Sequence, residues 1–273
     1  MAPMAAMYGE VVSAHHLTPG LVRVVLGGAG LDAFEMNDST DAYVNVAIPP
    51  SGASYGPVFD PREVVETHGP VQAPARRRYT VRRWEADARR LTLDFIVHGA
   101  SGAAGPWAAG ARPGDILVFN GPGSGYRPDP AADWHLLIGD ESALPAIAAS
   151  LEVLDPAATA VVRLVCDGPE HEVALVSPAR LDLAWLHRPH ALATAVADLD
   201  FPSGTPQVFL HGEADEVRTI RRHLALERGL DAASMSCSPY WRRGLTDEQW
   251  RSVKKEFTAA MQTDLTSARR ASS

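Results

Sequence analysis

Cysteine is scarce in this sequence. Its 273 residues include only two cysteines, Cys166 and Cys237, which lie far apart and belong to no Cys-x-x-Cys or cysteine–histidine spacing. A zinc site or a cysteine-held iron–sulfur cluster needs several such ligands at short spacings. We therefore predict no protein-bound metal, and two semi-buried free thiols in a reducing compartment.

Long apolar runs and an excess of basic charge are also missing. No stretch approaches the roughly 20 apolar residues of a transmembrane helix, and residues 1–7 lack the cationic and apolar regions of a secretory signal. The 25 lysines and arginines are outnumbered by 33 acidic residues, which gives a formal net charge of −8. Nucleic acids and anionic membranes attract basic surfaces. The sequence therefore predicts a cytoplasmic protein with neither a nucleic acid nor a membrane as its partner.

The first part of the chain has the pattern of an antiparallel β-barrel. Between Tyr8 and Asn120, short runs rich in β-branched residues are separated by Gly, Pro and Asp, and several of them alternate apolar with polar side chains. Regularly spaced short strands with turn residues between them are typical of such barrels. The strand-like runs are 21–26, 42–48, 78–84, 91–97 and 115–119. Pro106 is expected in the first turn of a short helix, where its missing N–H does no harm.

A glycine- and proline-rich segment, residues 121–130, separates this part from a second one in which strands alternate with helices. Residues 135–139 form a nearly continuous apolar run, as expected of a parallel strand covered on both faces. Further strand-like runs lie at 160–166, 172–176, 207–211 and 235–240, and helical runs lie at 144–154, 191–199, 213–227 and 246–261. We expect the polar tail after Thr263 to fray. The alternation predicts a doubly wound parallel sheet, with a β-barrel domain at 1–124 and an α/β domain at 125–273.

The segment Arg77-Arg78-Tyr79-Thr80 carries the groups that a flavin needs. Arginine binds a pyrophosphate through two hydrogen bonds, tyrosine offers a flat face to the ring system, and threonine can donate to its edge. On one strand, residues 77 and 79 face one way and residues 78 and 80 the other. A strand with a basic edge is the simpler interpretation of these four residues taken alone.

Two further clusters follow predicted strands. Residues 139–143, Gly-Asp-Glu-Ser-Ala, lie where a strand ends and a helix begins, which is where open α/β sheets bind ligands. Capping of the helix by Asp140 or Ser142 is an alternative that is compatible with ligand binding. Residues 240–244, Tyr-Trp-Arg-Arg-Gly, combine aromatic rings with cations that suit an anionic aromatic ligand. For Arg242 and Arg243, a solvated helix end is an equally good interpretation.

Together these segments resemble the siderophore-interacting protein family, the FAD-dependent ferric-siderophore reductases of the ferredoxin-reductase-like superfamily. The likeness runs through nearly the whole chain and rests on the order and spacing of segments that are individually unspecific. The segments are 40–44, 77–82, 94–99, 107–115, 133–147, 185–188, 212–213, 227–231 and 240–244.

The resemblance implies roles for individual residues. Arg77 is expected at the FAD pyrophosphate, Tyr79 at the isoalloxazine face and Thr80 at the N5 edge, and Arg78 is a further cofactor-binding residue. Asp94, Phe95, Val97 and His98 are expected along the ribityl–adenosine part. Gly102, Ala103 and Ala104, with the helix that carries Trp107, are expected to offer backbone N–H groups to the pyrophosphate. In this loop the sequence departs from the Gly-Pro-Ala of the family pattern. Asp140, Ser142, Tyr240 and Trp241 are further cofactor-binding candidates, and Arg127, Arg242 and Arg243 are siderophore-binding candidates.

The activity that the resemblance implies is transfer of electrons from NADH or NADPH through FAD to a ferric siderophore, with release of Fe(II) in the cytoplasm. No catalytic nucleophile or general base is required, because the flavin carries the chemistry. No Gly-x-Gly-x-x-Gly fingerprint is present, so NADH and NADPH stay open, as do a ferredoxin as donor, the identity of the siderophore and the oligomeric state. A flavin reductase with another acceptor and a non-catalytic siderophore-binding flavoprotein are the alternatives.

Overall fold

A computed structural model describes residues 7–97, 99, 102–189 and 192–271, and for residues 266–271 it describes the backbone only. The chain divides into two compact units, Met1–Arg127 and Pro128–Ser273. The amides of Gly125 and Tyr126 donate to Asp41 Oδ1 at 2.9 and 2.8 Å, which anchors the first part of the linker to the first unit. None of the helices among the described residues is long and apolar enough to cross a lipid bilayer.

The first unit is a closed six-stranded barrel in which every neighbouring pair of strands is antiparallel. Its strand order is β1-β2-β5-β4-β3-β6. The strands are β1 (Met7–Thr18), β2 (Leu21–Gly27), β3 (Tyr43–Ile48), β4 (Ala75–Glu85), β5 (Arg90–Ile96) and β6 (Ile116–Gly123). The predicted antiparallel barrel is therefore confirmed. The strand runs predicted from the sequence do not include β1, which closes the barrel by pairing with both β2 and β6.

The barrel core consists of the side chains that alternate inward along these strands, such as Leu26, Leu91, Leu93 and Phe119. The described residues of this unit include the α-helices α1 (Glu63–His68) and α2 (Ala104–Gly110). The α2 residues Ala104 and Ala108 are buried in the barrel core. Pro106 is the third residue of α2, as predicted, and at that position its missing N–H interrupts no helical hydrogen bond.

The second unit is a five-stranded sheet in which all neighbouring strands are parallel. Its strand order is β11-β10-β7-β8-β9, the order of a doubly wound fold, which confirms the predicted class. The strands are β7 (Trp134–Asp140), β8 (Thr159–Cys166), β9 (Arg180–His187), β10 (Pro206–Glu213) and β11 (Met235–Trp241). The chain adds β8 and β9 on one side of β7 and then crosses to β10, so the strand order reverses between β7 and β10.

Four helices accompany this sheet: α3 (Leu144–Glu152), α4 (Leu192–Ala197), α5 (Ala214–Leu226) and α6 (Asp247–Ala271). The start of α6 is fixed by a capping box, because Thr246 N–H donates to Gln249 Oε1 at 2.8 Å and Gln249 N–H donates to Thr246 Oγ1 at 3.3 Å. Trp250 then buries its ring, and its Nε1 donates to the carbonyl of Tyr240 at 2.9 Å. The last helix is thereby attached to the last strand.

Two local predictions are wrong. Residues 172–176 are not a strand, and the strand that pairs with β8 is β9, which begins at Arg180. Residues 172–176 do alternate in exposure, but β9 already occupies the edge of β8 to which they could pair. The tail after Thr263 does not fray in the described backbone, which is helical to Ala271. Asp264 accepts two hydrogen bonds from Arg218, at 2.6 and 2.9 Å, and buried Leu265 adds apolar packing, so the helix is held beyond Thr263.

Candidate functional site

A row of aromatic rings links β4, β5 and α2 in the first unit. The Tyr79 and Phe95 ring centroids are 4.1 Å apart, and those of Phe95 and Trp107 are 5.6 Å apart. Phe95 is completely buried, whereas Tyr79 and Trp107 are half-buried. Since Phe95 supports the Tyr79 ring from the core side, Tyr79 can offer a firmly held aromatic surface to a planar ligand.

Arg77, Arg78 and Thr80 flank Tyr79 on β4. The half-buried Arg77 donates from Nη1 to the carbonyl of Arg76 at 3.0 Å. Arg78 is exposed, and its guanidinium carbon lies 5.2 Å from the centroid of the Tyr43 ring. The Thr80 side chain is buried, opposite Tyr43 of β3. The strand therefore presents cations on both of its faces, as its alternation requires.

The other residues predicted to line FAD differ in how far their polar groups are already hydrogen-bonded within the protein. The Asp94 carboxylate accepts two hydrogen bonds from Arg23, both at 2.7 Å, and Asp94 is 4% exposed. Its oxygens therefore join β2 to β5. Val97 is half-buried, and its amide donates to the carbonyl of Gly20 at 2.9 Å. His98 lies outside the described residues.

The loop before α2 is partly described. Gly102 has a φ of +81°, and no atom of the described residues lies within 4 Å of the position that a Cβ would occupy there. Ala103 is half-buried and directly precedes the helix, and Ala104 is buried. The amide of Trp107 donates to the carbonyl of Ala103 at 3.2 Å. The backbone beside Gly102 is therefore open to a ligand, whereas the helix itself packs into the barrel.

The first unit thus fits a flavin dinucleotide in the chemistry of its groups. Arg77 and Arg78 provide positive charge for a pyrophosphate. Tyr79 provides a supported aromatic surface for the ring system. The open backbone at Gly102 leaves space beside the aromatic row.

In the second unit, Asp140 ends β7 and is the centre of a hydrogen-bond network. Its Oδ1 accepts from Ser142 N–H at 2.8 Å and from Ser142 Oγ at 2.5 Å. Its Oδ2 accepts from Glu213 N–H at 2.9 Å and from Trp241 Nε1 at 2.7 Å. Burial raises the pKa of Asp140, whereas the hydrogen bonds from Ser142 and Trp241 oppose that shift. Asp140 joins β7, β10 and β11 at the edge where the strand order reverses.

Two positions beside Asp140 have no space for a side chain and are occupied by glycine. Gly212, at the end of β10, has a φ of +140°, and a Cβ there would lie 2.7 Å from Asp140 Oδ2. Gly139 is equally restricted, because its Cβ would lie 2.5 Å from that of Ala143. The ends of β7 and β10 therefore approach each other with no room for a side chain.

Acidic groups surround this edge. The Glu213 carboxylate accepts from the amides of Asp215 and Glu216, at 2.8 and 3.0 Å, and so caps α5. Burial raises the pKa of Glu216, and the nearby negative charges of Asp140 and Glu213 raise it further. The positive charges of Arg243 and Arg188 oppose part of this shift in the pKa of Glu216, so the edge carries charges of both signs.

Tyr240 and Trp241 are half-buried at the end of β11. The Tyr240 hydroxyl is hydrogen-bonded to His211 Nδ1 at 2.7 Å, and His211 stacks on Phe209 with ring centroids 3.8 Å apart. Burial lowers the pKa of His211 to about 3, so its ring is neutral at physiological pH. Together with the bond from Trp241 to Asp140, these contacts fix the orientation of both aromatic rings.

The three predicted siderophore-binding arginines have different partners. Arg242 is paired with Asp215, at N–O distances of 3.2 and 3.3 Å, and its guanidinium carbon lies 5.0 Å from the centroid of the Phe257 ring. Arg243 is exposed, and its amide donates to Glu213 Oε1 at 3.1 Å. Arg127 belongs to the first unit, where it donates to the carbonyl of Asp38. Asp215 therefore offsets part of the charge of Arg242.

Comparison with protein families covers both units. Residues 10–126 match the siderophore-interacting FAD-binding domain, and residues 132–244 match the siderophore-interacting protein domain. An uncharacterized protein of Mycobacterium tuberculosis is 42% identical over 92% of this chain and 95% of its own length. This chain belongs to the siderophore-interacting protein family.

Two other relatives of this chain have names that state an activity. The ferric vibriobactin reductase ViuB of Vibrio cholerae is 33% identical over 88% of this chain and 91% of its own length. The NADPH-dependent ferric-chelate reductase of Escherichia coli is 28% identical over 85% of this chain and 91% of its own. Both alignments extend over most of the two proteins that they compare.

Solved structures agree with the family assignment. The siderophore-interacting protein SipS of Aeromonas hydrophila matches with a TM-score of 0.80 and 27% identity, over 93% of this chain and 98% of its own. A siderophore utilization protein from T. fusca matches with a TM-score of 0.76 and 36% identity, over 90% and 96%. The predicted ferredoxin-reductase-like architecture is confirmed, and FAD is the cofactor of the barrel domain.

One cluster in this siderophore-interacting protein is absent from the predicted sites. Arg188, directly after β9, donates to both oxygens of Glu141 at 2.9 and 2.7 Å and to Asp167 Oδ1 at 2.6 Å. The hydrogen bonds to Glu141 raise the pKa of Arg188, and those to Asp167 add to the effect. One signal was available in the sequence: all three residues directly follow parallel strands, whose carboxyl ends share one edge.

Proposed function

We propose that this chain is an FAD-dependent ferric-siderophore reductase that takes electrons from a nicotinamide nucleotide. The observation that carries the proposal is the 33% identity to a ferric vibriobactin reductase, which extends through both the barrel and the α/β unit. The relative named as an NADPH-dependent ferric-chelate reductase supports a nicotinamide as the donor.

The barrel residues act by binding and orientation. Arg77 offsets the charge of the pyrophosphate, and Tyr79, supported by Phe95, holds the ring system. The Thr80 hydroxyl donates to the N5 edge. Held by these residues, FAD would supply a hydride acceptor for the nicotinamide and a one-electron donor for a ferric chelate.

The α/β unit binds the nicotinamide nucleotide at the edge where β7 and β10 end. Gly212 removes a side chain from this edge. Ser142 and the rings of Tyr240 and Trp241 contact the nucleotide. Asp140 acts through other residues, because its two oxygens already accept four hydrogen bonds from within the unit. It therefore holds Trp241 and the turn at Ser142 in position.

A ferric siderophore is the electron acceptor and the source of the iron. Siderophores of the catecholate class are anionic, and exposed Arg243 provides a cation for them. Arg242, in the same unit, and Arg127, in the barrel unit, are further cationic candidates, each taken by itself. Fe(II) binds hard oxygen ligands less strongly than Fe(III), so reduction releases the metal. The iron is substrate throughout.

The test is an anaerobic titration of the FAD-loaded protein. Addition of NADH or NADPH is expected to bleach the flavin absorbance, and a ferric catecholate siderophore is then expected to restore it while a chromogenic chelator traps Fe(II). Restoration of the flavin absorbance without trapped Fe(II) would indicate another acceptor. Tight siderophore binding without any restoration would contradict a reductase and favour a binding protein.

A second arm of the titration tests the donor. Reduced ferredoxin replaces the nicotinamide nucleotide, with dithionite-reduced protein as the control for the acceptor half of the reaction. If ferredoxin bleaches the flavin and neither nucleotide does, the nicotinamide part of the proposal is wrong and the ferric-siderophore part is not.

A further inference from the structure

The carboxyl ends of β7, β8 and β9 carry an acidic cluster around one arginine. Glu141 follows β7, Asp167 follows β8 and Arg188 follows β9. Arg188 is bound to both carboxylates, at 2.6 to 2.9 Å, and two more carboxylates, Glu170 and Glu172, lie in the segment that follows β8. Four carboxylates thus share an edge with one guanidinium.

Arg188 uses three of its five N–H donors within this cluster. Both of its terminal nitrogens donate to Glu141, and one also donates to Asp167. The Glu141 side chain is 11% exposed and that of Arg188 25%, so this pair is largely shielded. Moving Arg188 toward a phosphate would leave the Glu141 carboxylate buried without its partner, which is costly.

Asp167 differs from Glu141 in its exposure. Its side chain is 54% exposed, and only one of its oxygens accepts from Arg188. In doubly wound folds, an acidic residue that follows the first strand–helix unit binds the ribose hydroxyls of NAD, whereas an arginine accommodates the 2′-phosphate of NADP. Asp167 directly follows β8, the strand next to β7 on the side away from the reversal, and it has an oxygen available for a hydroxyl.

We infer that this chain prefers NADH to NADPH, and that Asp167 determines the preference by accepting a hydrogen bond from the ribose 2′-hydroxyl. A 2′-phosphate would instead lie beside the exposed Asp167 carboxylate, and the like charges would oppose it. Glu172 and Glu170 are paired with His187 and His171, at 2.8 and 3.9 Å, and are not needed for this repulsion. This inference rests on the proposed use of a nicotinamide nucleotide. It also distinguishes this chain from the Escherichia coli relative, which is named for NADPH.

The test measures binding of NAD⁺ and of NADP⁺ to the FAD-loaded full chain by isothermal titration calorimetry, so that no turnover is required. NAD⁺ is expected to bind about tenfold more tightly or better, a ratio that corresponds to roughly 1.4 kcal/mol. In Asp167→Asn the ratio is expected to fall below about threefold, because NAD⁺ loses an acceptor and NADP⁺ loses a repulsion.

Asp182→Asn is the matched control. Asp182 lies within β9 and is also paired with an arginine, Arg163, at 3.1 Å, so the substitution makes the same chemical change away from the carboxyl edge. Its NAD⁺/NADP⁺ ratio is expected to stay within about twofold of wild type, since the charges at the carboxyl edge are intact. Circular dichroism checks that both variants are folded.

Three results would overturn the inference. Tighter binding of NADP⁺ by the wild type would mean that Arg188 leaves Asp167 for the 2′-phosphate. An unchanged ratio in Asp167→Asn would remove Asp167 from the nucleotide site. Failure of both nucleotides to bind would overturn the inference together with the nicotinamide part of the proposed function, and the anaerobic titration would then show no bleaching by NADH or NADPH.

Discussion

Replacement of Asp140 tests whether this carboxylate organises the edge where β7, β10 and β11 end. In Asp140→Ala, the amides of Ser142 and Glu213 and the indole N–H of Trp241 all lose their acceptor. Glu213 is 4% exposed, so its amide bears the full cost of an unsatisfied buried donor, about 1–3 kcal/mol. The other two donors are half-buried and add less. We therefore expect the free energy of unfolding to fall by about 2–4 kcal/mol.

Two comparison variants sharpen the measurement. Ser142→Ala removes only the hydroxyl donor at 2.5 Å and is expected to cost about 0.5–1.5 kcal/mol. Asp140→Asn keeps the shape but places an amide NH₂ where the carboxylate accepts from donors on two sides, so it too is destabilising. Urea unfolding of the full chain, followed by far-UV circular dichroism, gives all of these values. A loss below about 1 kcal/mol in Asp140→Ala would refute the role of Asp140 in holding the three strands.

The pH dependence of Asp140→Asn has a definite sign. Burial raises the pKa of Asp140 above the ordinary value of 3.8. A carboxyl group whose pKa is higher in the folded state stabilises the fold below the unfolded pKa, and this contribution is lost as the pH rises through the folded pKa. The wild type therefore loses stability relative to Asp140→Asn between about pH 4 and neutrality. If the stability of the wild type relative to Asp140→Asn increased as the pH rises, the burial argument would be contradicted.

Two further predictions concern other parts of the chain. Arg77→Ala is expected to lower FAD retention on gel filtration by about tenfold or more, whereas Arg242→Ala, which removes a cation already paired with Asp215, is expected to leave it within about twofold. The reverse order would mean that the flavin and siderophore residues are misassigned. Thr246→Ala breaks the capping box of α6 and is expected to lower the free energy of unfolding by about 1 kcal/mol in urea, with Ser252→Ala as an exposed control. An equal effect of the two substitutions would refute the capping argument.

Periodicity in the sequence was sufficient for the fold class but not for every strand. Alternating side chains identified several strands of the barrel, and a nearly continuous apolar run identified β7 of the sheet. Residues 172–176, Glu-Val-Ala-Leu-Val, form a similar short apolar run, yet they are not a strand. Such a pattern indicates an extended backbone, whereas a strand also needs a partner, and the competition between residues 172–176 and β9 for the edge of β8 is a tertiary event.

The candidate site was predictable where one strand carries its residues, and unpredictable where distant strands meet. Arg77 and Tyr79 lie on β4 alone, and they were predicted from that segment together with the resemblance of the whole chain to the family. The salt bridge between Asp94 and Arg23 depends on the strand register, which puts Asp94 of β5 directly opposite Arg23 of β2. The cluster of Arg188 with Glu141 and Asp167 likewise requires three strands to be ordered side by side. Such pairings are set by sheet topology, which no single segment encodes.

Closure of the barrel has a consequence for how the chain is made. Met7 of β1 pairs with Phe119 of β6, so two strands more than 100 residues apart must meet before the barrel has no open edge. At about 5–20 residues per second, a ribosome needs roughly 5–20 s to synthesise that stretch. During this time strand edges are exposed to pairing with other chains. A nascent fragment that ends before Ile116 lacks the last strand, whereas one that extends through Arg127 carries all six strands that barrel closure requires.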